Sequence, residues 1–568
     1  MQMSKTADLW WKTAVFYCAD VQTFLDADGD GQGDLTGMAH RVDYLADLGV
    51  TCLWLMPLYP TRDVDDGYDI TDFLSVDPRL GDLGDFVELV RIARSRGIRV
   101  ILDFVMNHTS DHHPWFKEAR KDTANPYRDY YVWRSTAPPD TSALVVFPDQ
   151  EDSIWEKDDR TDQWYLHNFY KTQPDLNTAN PKVRDEIVKV MGLWLGLGVS
   201  GFRIDAVPFL FAQDTLPKKD QKFEWDPHLA LRHVKAFCGR RGSEVVLLGE
   251  VNVARAEQAA FFGGADGDEL TMQFDFIAMQ ATWLSLARGD AGPLVEALRG
   301  RPEADEESQW VNFLRNHDEL TLDKLTDEER QEVFDAFGPD PDMQLYGRGL
   351  RRRLPTMLDG DPRRIRLAYS LMFSLPGSPV LFYGEEIGMG ENLDVPGRYA
   401  VRTPMQWSAA QNGGFSKAAK RRLPRPLTEG AYGPDHVNVA SQRNDPDSLW
   451  TFIAQLIRRY RQSPELGWGP FHPLEQPFDA VLAHVAKVDS WATIAVHNLG
   501  PDACRVPLSL ASVAGDDLPP IAHLTDLLDD YRLEPVTDGS ATPSIEVDLE
   551  GYGCRWLQVI REGDERIA

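Results

Sequence analysis

Short, uninterrupted apolar runs alternate with longer amphipathic stretches over most of this 568-residue chain. The runs fall at residues 15–19, 52–56, 100–105, 201–204, 245–248, 273–276, 310–314 and 380–383. Runs this short and this apolar read as strands of a parallel sheet buried on both faces. Between them, residues 83–96 and 181–197 repeat apolar positions at helical spacing. Eight strands separated by helices predict an α/β fold, a (β/α)8 TIM barrel. Its functional groups should gather on loops at the C-terminal ends of the strands.

Two stretches interrupt this alternation. A polar, aromatic and Pro-rich segment follows the third strand and is expected to form an inserted subdomain over residues 107–185. An irregular segment rich in Gly, Arg and aromatics follows the eighth, at 384–439. The barrel itself is then assigned to 1–106 and 186–465. From about residue 466 short alternating runs separated by turn residues predict a C-terminal antiparallel β-sandwich, 466–568.

Composition narrows the partners. With 89 acidic and 59 basic residues the formal charge is −30, which disfavours nucleic acid and anionic membrane surfaces. A neutral sugar is indifferent to that field. The five cysteines, Cys18, Cys52, Cys238, Cys504 and Cys554, are scattered without ligand spacing and are expected to be free thiols in a reducing compartment. No stretch has the length of a membrane span, and residues 1–11 lack the apolar core of a signal peptide. A cytoplasmic protein is the expectation. The run Arg351-Arg352-Arg353 is expected on a solvated or carboxylate-paired helix face, and Trp115, Trp155 and Trp164 are expected to divide between core and sugar contact.

Four motifs sit at or just after strand ends: Asp103-Phe104-Val105-Met106-Asn107-His108, Gly201-Phe202-Arg203-Ile204-Asp205-Ala206, Leu248-Gly249-Glu250-Val251-Asn252 and Leu314-Arg315-Asn316-His317-Asp318. Strand alternation puts Arg203 and Asp205 on one face, so the guanidinium should keep the Asp205 carboxylate ionised and oriented. Glu250 ends an apolar run, which should raise its pKa and suit it to act as general acid and then base. Three acids (Asp205, Glu250 and Asp318) then supply a nucleophile, a proton donor and a charge stabiliser for cleaving a glycosidic bond with retention. The carboxyl groups of Asp205 and Glu250 should lie about 5 Å apart for that outcome. Singly, each acid reads equally well as a loop residue or structural ion pair; together and in order they do not.

These four motifs resemble the α-amylase superfamily, glycoside hydrolase family 13, and within it the trehalose synthases and α-glucosidases. The resemblance extends through Gln173-Pro174-Asp175-Leu176-Asn177 and Arg315-Asn316-His317-Asp318-Glu319-Leu320-Thr321. It implies that Asp318 and His317 grip sugar hydroxyls and that Tyr68, in Asp65-Asp66-Gly67-Tyr68-Asp69, stacks on the sugar. Asp65 would pair with Arg398 as a clamp closing the pocket's far end, with His108, Arg203 and Arg402 also reaching the site. Asn252 and Glu319 match residues that close the cavity. Trehalose synthases carry an Arg in a loop of the inserted subdomain, whereas this chain runs Ala143-Leu144-Val145-Val146-Phe147, which would leave Glu319 without its cation.

Asp26-Ala27-Asp28-Gly29-Asp30-Gly31-Gln32-Gly33-Asp34 places oxygen ligands at alternate positions, like the first nine of an EF-hand loop, but Gly37 stands where a bidentate Glu would be. The matching loop of the family binds Ca²⁺. The expected ligands are the Asp26, Asp28, Asp30 and Asp34 side chains and the Gln32 carbonyl, with Mg²⁺ the alternative occupant and no organic cofactor. Asn107 and Asp175 match a second calcium site, short of a carboxylate because Phe209-Leu210-Phe211-Ala212 offers none.

The resemblance thus implies a retaining enzyme of short α-glucosides, with interconversion of maltose and trehalose as one activity. Hydrolysis, or transfer to another acceptor, as in α-glucosidases, is the other. A non-catalytic scaffold, like the heavy chains of amino-acid transporters, is disfavoured because those lose the acids and carry a membrane span. Self-association, a kinase partner and the acceptor are left open by the sequence.

Overall fold

The computed structural model describes residues 9–210, 216, 218–223, 226, 228–514, 518–529, 531–536 and 543–563. Eight parallel strands close into a barrel: β1 (Phe16–Ala19), β2 (Cys52–Leu55), β3 (Arg99–Phe104), β4 (Gly201–Ile204), β5 (Val246–Gly249), β6 (Met272–Phe274), β7 (Gln309–Asn312) and β8 (Ser378–Phe382). Each pairs with its neighbours in sequence, and β1 meets β8 to complete the ring. All eight lie within a few residues of the runs read from sequence. They are legible because strands packed inside and out must be apolar throughout. Among the described residues no helix is long and apolar enough to cross a membrane, and all five cysteines are free.

Local chemistry sets the surrounding helices. Leu83–Ser95 starts at a capping box formed by Asp82 and Asp85 and buries Phe86, Leu89, Val90 and Ala93, one stripe at helical spacing. Pro181–Gly196 starts at the Asn180 cap with Pro181 in its first turn and buries Val183, Ile187, Val190, Met191 and Trp194. Leu449–Gln462, capped by Ser448, lays Trp450, Ile453, Leu456, Ile457 and Tyr460 against the barrel.

Between β3 and β4 a three-stranded antiparallel sheet is built from Trp133–Arg134, Gln163–Leu166 and Trp155–Asp158. Bridges His108↔Asp175 and Tyr131↔Leu176 tie it back to the barrel mouth. A second small sheet, Leu320–Thr321, Gly349–Leu350 and Gln344–Leu345, rises after β7. No periodicity announces this sheet, because its paired segments are only two residues long. The hairpin closes through Tyr346 and Gly347, both at positive φ (56° and 64°), the conformation of a type I′ turn.

The C-terminal region forms β9 (Val481–Val488), β10 (Trp491–Asn498), β11 (Cys504–Ser509), β12 (Ile521–Asp526), β13 (Ser544–Leu549) and β14 (Cys554–Arg561). β9, β10, β14 and β12 lie in a six-stranded sheet that faces the β11–β13 pair across a separate apolar core. β12 escapes sequence reading because its first three residues are half-buried and polar residues interrupt it.

The three-arginine run differs from expectation. Its residues are not helical; Arg352 pairs its side chain with Glu391 at 3.1 Å, and Arg353 meets the same carboxylate only through its main-chain N–H, at 2.8 Å. Arg351 donates to the carbonyls of Val395 and Leu393. Arg353, 1% exposed, donates to the Val401 carbonyl through Nε (2.9 Å) and Nη2 (2.7 Å) and to the Tyr383 carbonyl through Nη1 (2.9 Å). Irregular backbone has carbonyls without strand or helix partners, and a planar five-donor group satisfies several at once. Replacing Arg353 by Ala should cost about 3 kcal/mol, measured from denaturant midpoints, because buried carbonyls lose charged donors. Arg353→Lys should recover less than half of it.

Candidate functional site

The site is built around one buried guanidinium. In the parallel register Asp103 on β3 stands directly opposite Arg203 on β4. Arg203 Nη1 donates to Asp103 Oδ1 at 2.8 Å and to Asp205 Oδ1 at 2.5 Å, while Nη2 lies 2.8 Å from Glu250 Oε2. The same Glu250 oxygen accepts the main-chain N–H of Ala206 at 3.0 Å. Ala206 itself is held at φ 48°, so the chain bends sharply right after Asp205. One arginine therefore keeps the carboxyl groups of β4 and β5 side by side.

Three carboxyl groups share that single cation; Asp103 and Asp205 are buried and Glu250 is half-buried at the cavity wall. Burial pushes Asp205 up to about 7, with Arg203 pulling it back and Asp103 pushing it further. Burial likewise lifts Glu250 to about 7, against Arg203 and helped by Asp205, and Asp103 to about 6. For Glu250 this is the direction expected from its apolar run. For Asp205, Arg203 orients the carboxyl group and favours its charge as expected, while burial works against a cation divided among three acids. The cluster as a whole holds on to a proton near neutrality.

Asp318 is the opposite case. Burial opposes its charge, but the guanidinium groups of Arg398 and Arg402 outweigh it and hold the carboxyl far below its usual range. Arg402 Nη2 reaches Asp318 Oδ1 at 2.9 Å, and Arg398 Nη1 donates to the same oxygen. Tyr68 donates its hydroxyl hydrogen to Asp103 Oδ2 at 2.9 Å, and His317 Nε2 stands 2.8 Å from the Tyr68 oxygen. Burial keeps His317 neutral, so Nε2 carries the proton and Tyr68 accepts it. The two rings stack at 5.6 Å with 6° between planes.

These groups open onto a cavity of 410 Å³ lined by Asp65, Tyr68, His108, Asp205, Glu250, Asn252, Asp318, Glu319 and Arg398. Arg398 Nη2 donates to Asp65 Oδ1 at 2.6 Å. His108 Nε2 lies 3.2 Å from the Tyr68 carbonyl, and Asn252 Nδ2 donates to Asp323 at 3.0 Å. Arg203, His317 and Arg402, expected among the substrate-binding residues, are at most 1% exposed and stand behind the lining. They bond to Asp103, Tyr68, Asp66 and Asp318, so they hold the wall rather than form it.

Several participants were not singled out from sequence. Asp103 is one, although its position opposite Arg203 follows from strand register. Arg425 is another; it donates to Asp66, which also accepts from Arg402 at 2.7 Å. The apolar lining comes from Phe147, Phe169, Phe209 and Phe276. Trp115, Trp155 and Trp164 do not line the cavity; Trp155 lies in a small core of the inserted sheet with Trp164 packed on it, and Trp115 packs against the main core. Glu319 does have a cation beside it. Arg348, on the hairpin after β7, places Nη2 at 3.5 Å from Glu319 Oε1.

Away from the cavity, the carboxylates of Asp26, Asp28 and Asp34 lie within 4.8 Å of one another. Asp30 is outside this group; its Oδ1 accepts the Gln32 N–H at 2.7 Å. The loop locks onto the segment after β8: Asp26 N donates to the Phe415 carbonyl at 3.0 Å and Ser416 Oγ to Asp26 Oδ2 at 2.5 Å. Gly31, at φ 111°, has no room for a side chain, since a Cβ would sit 2.5 Å from the Arg422 carbonyl. At the second expected metal position Asn107 Nδ2 donates to Asp175 Oδ1 at 3.2 Å, and Asn168 donates to both Asp175 oxygens. Burial pushes Asp175 up to about 8. Phe211 and Ala212 lie outside the described residues.

Comparison with known proteins matches the family described as "Alpha amylase, catalytic domain" over residues 21–335 and 351–469. A trehalose synthase/amylase of Mycobacterium tuberculosis is 42% identical over 556 residues, 97% of this chain and 90% of the relative. A trehalose synthase of Pimelobacter sp. is 41% identical over 487 residues, 84% of each chain. The crystal structure of an isomaltulose synthase from Protaminobacter rubrum superposes with a TM-score of 0.75 at 26% identity, covering 97% of this chain and 99% of that one.

Because Asp205 raises Glu250 by repulsion across Arg203, removing that charge should lower it. In Asp205→Asn, ¹³C NMR of labelled glutamate should show Glu250 titrating at lower pH than in the unaltered protein. An unchanged titration would mean the two carboxyl groups do not share the guanidinium.

Proposed function

The chain belongs to the α-amylase family, glycoside hydrolase family 13, and from that premise we propose that it interconverts maltose and trehalose through a covalent glucosyl-enzyme. The observation that carries this reading is the convergence of Asp205, Glu250 and Asp318 on one cavity whose two reactive carboxyl groups are held by a single arginine. A guanidinium bonded to both draws them together, as the separation of about 5 Å needed for retention requires.

In the proposed reaction Asp205 attacks the anomeric carbon as the bond to the leaving oxygen breaks. Glu250 gives that oxygen its proton and becomes the carboxylate. Asp318, held ionised by Arg398 and Arg402, supports the positive charge that develops on the sugar ring. The released glucose turns within the cavity and presents its own anomeric hydroxyl. Glu250 takes the hydroxyl proton, the oxygen attacks the glucosyl carbon, and the bond to Asp205 breaks. The configuration at that carbon is inverted twice. The Asp65–Arg398 pair would cap the far end of the cavity, limiting the donor to a single glucosyl unit, with Tyr68 and His108 against its ring.

Purified protein given maltose, and separately trehalose, should produce the other disaccharide with little free glucose, as resolved by chromatography. Asp205→Ala should abolish both directions, a loss of at least about 10⁴-fold. Stoichiometric glucose from maltose would instead assign an α-glucosidase.

The Asp26–Asp28–Asp34 group is a cluster of hard oxygen donors whose like charges call for a cation, and it suits Ca²⁺. The Gln32 carbonyl and Asp30 would complete the set, as the sequence suggests, if Asp30 turns inward. Its role would be structural, fastening the β1 loop to the segment that carries Arg398 and Arg402. EDTA should lower the thermal midpoint by a few degrees and added Ca²⁺ should restore it. Asp26→Ala should show the low midpoint with no response to either. Restoration by Mg²⁺ and not Ca²⁺ would reassign the ion.

A further inference from the structure

We propose that Arg348 is the latch of the cavity, holding the loop of residues 143–147 down against Glu319, and that it decides whether a bound glucosyl group meets a sugar or water. This rests on the reading of the site given above. Arg348 Nη2 donates to the Val146 carbonyl at 2.7 Å and lies 3.5 Å from Glu319 Oε1. These partners belong to different parts of the chain: Val146 to the insertion after β3, Glu319 to the segment after β7. Val146, Glu319 and Arg348 all line the cavity.

The loop it holds has no charged residue, being Ala143-Leu144-Val145-Val146-Phe147. It offers a donor only main-chain carbonyls, so its attachment depends on a donor from elsewhere. The hairpin tip supplies it. Arg348 N donates to the Leu345 carbonyl at 3.2 Å and its own carbonyl accepts from Leu322 N at 2.7 Å, so the side chain leaves from a fixed base. The I′ turn brings Tyr346 over the same loop, its ring 5.4 Å from Phe147. Gly349 next to it lets the Glu319 side chain lie flat on the hairpin, where a Cβ would come within 2.8 Å of Glu319 Cγ. Arg348 is thus the polar half of a contact whose apolar half is Phe147 against Tyr346 and Tyr170.

What the contact controls follows from the chemistry. While glucose is bonded to Asp205, a water entering the cavity attacks the anomeric carbon, the bond to Asp205 breaks, and Glu250 receives the water proton. The glucosyl group is then lost as glucose. A closed lip slows that step and leaves transfer to the enclosed sugar unaffected. Arg348 touches neither donor nor reacting atoms; it is a positioning residue.

The test uses the full chain and a fluorinated glucosyl fluoride that leaves its sugar on Asp205, so that the lifetime of the glucosyl-enzyme in water is measured directly. Arg348→Ala should shorten it about fivefold, the factor that corresponds to about 1 kcal/mol of lost lip contact. Arg348→Lys should fall between, since one ammonium reaches one partner but not both. With maltose, free glucose should rise relative to trehalose in the same order. Arg348→Met keeps the side-chain length and serves if the alanine variant folds poorly. An unchanged lifetime in a folded Ala or Met variant overturns the latch. If the unaltered protein makes only glucose from maltose, the isomerase reading fails, and the lifetime comparison still decides the latch either way.

Discussion

Burying Arg203 inside the barrel is the constraint on which the site depends. A guanidinium removed from water costs several kcal/mol unless its charge and donors are met, and here Asp103, Asp205 and Glu250 meet its two terminal nitrogens. The arrangement works in both directions. The acids make the buried cation tolerable, and the cation draws together acids from three strands that would otherwise repel. Because one positive charge faces three carboxyl groups, the set keeps a proton where isolated acids would have lost theirs. A site that must hold one carboxyl charged and another neutral at the same pH obtains both from this shortage of cations.

A second layer of arginines organises the opposite wall. Arg398, Arg402 and Arg425 all come from the segment after β8, which contains turns and 3-10 helices but no strand. Asp65, Asp66 and Asp318 are their partners. A segment of this kind has little backbone pairing of its own and must be held by side chains. Arg353 fixes its start through the carbonyls of Tyr383 and Val401, and the acidic loop after β1 grips it at Phe415 and Ser416. Residues far from the cavity thereby set the positions of the cations that keep Asp318 ionised.

The barrel was legible in the sequence because parallel strands buried on both faces can only be apolar runs, and the acids were legible because they end those runs. What sequence could not convey was pairing between distant segments. Arg348 opposite Val146 depends on a hairpin whose strands are two residues long, too short to leave a pattern. Arg353 looked like a surface charge in a run of three, yet it is buried by irregular carbonyls that no periodicity announces. The tryptophans of the insertion suggested sugar contact by type alone, and the packing of the small sheet took Trp155 and Trp164 out of reach of the cavity. The sharing of Arg203 is hidden for a related reason: its place beside Asp205 follows from strand alternation, but the claims of Asp103 and Glu250 on the same guanidinium depend on how three strands meet.

The bend after Asp205 has a consequence of its own. Ala206 sits in a left-handed conformation and its amide binds Glu250, so main chain joins Arg203 in setting how β4's acid faces β5's. Backbone geometry of this kind is insensitive to substitutions in the surrounding loops. The lips of the cavity, by contrast, consist of a loop, a hairpin tip and one arginine, all free to drift. Such a division lets descendants of one ancestor exchange acceptors, or admit solvent, while the stereochemical course at the sugar carbon is inherited unchanged.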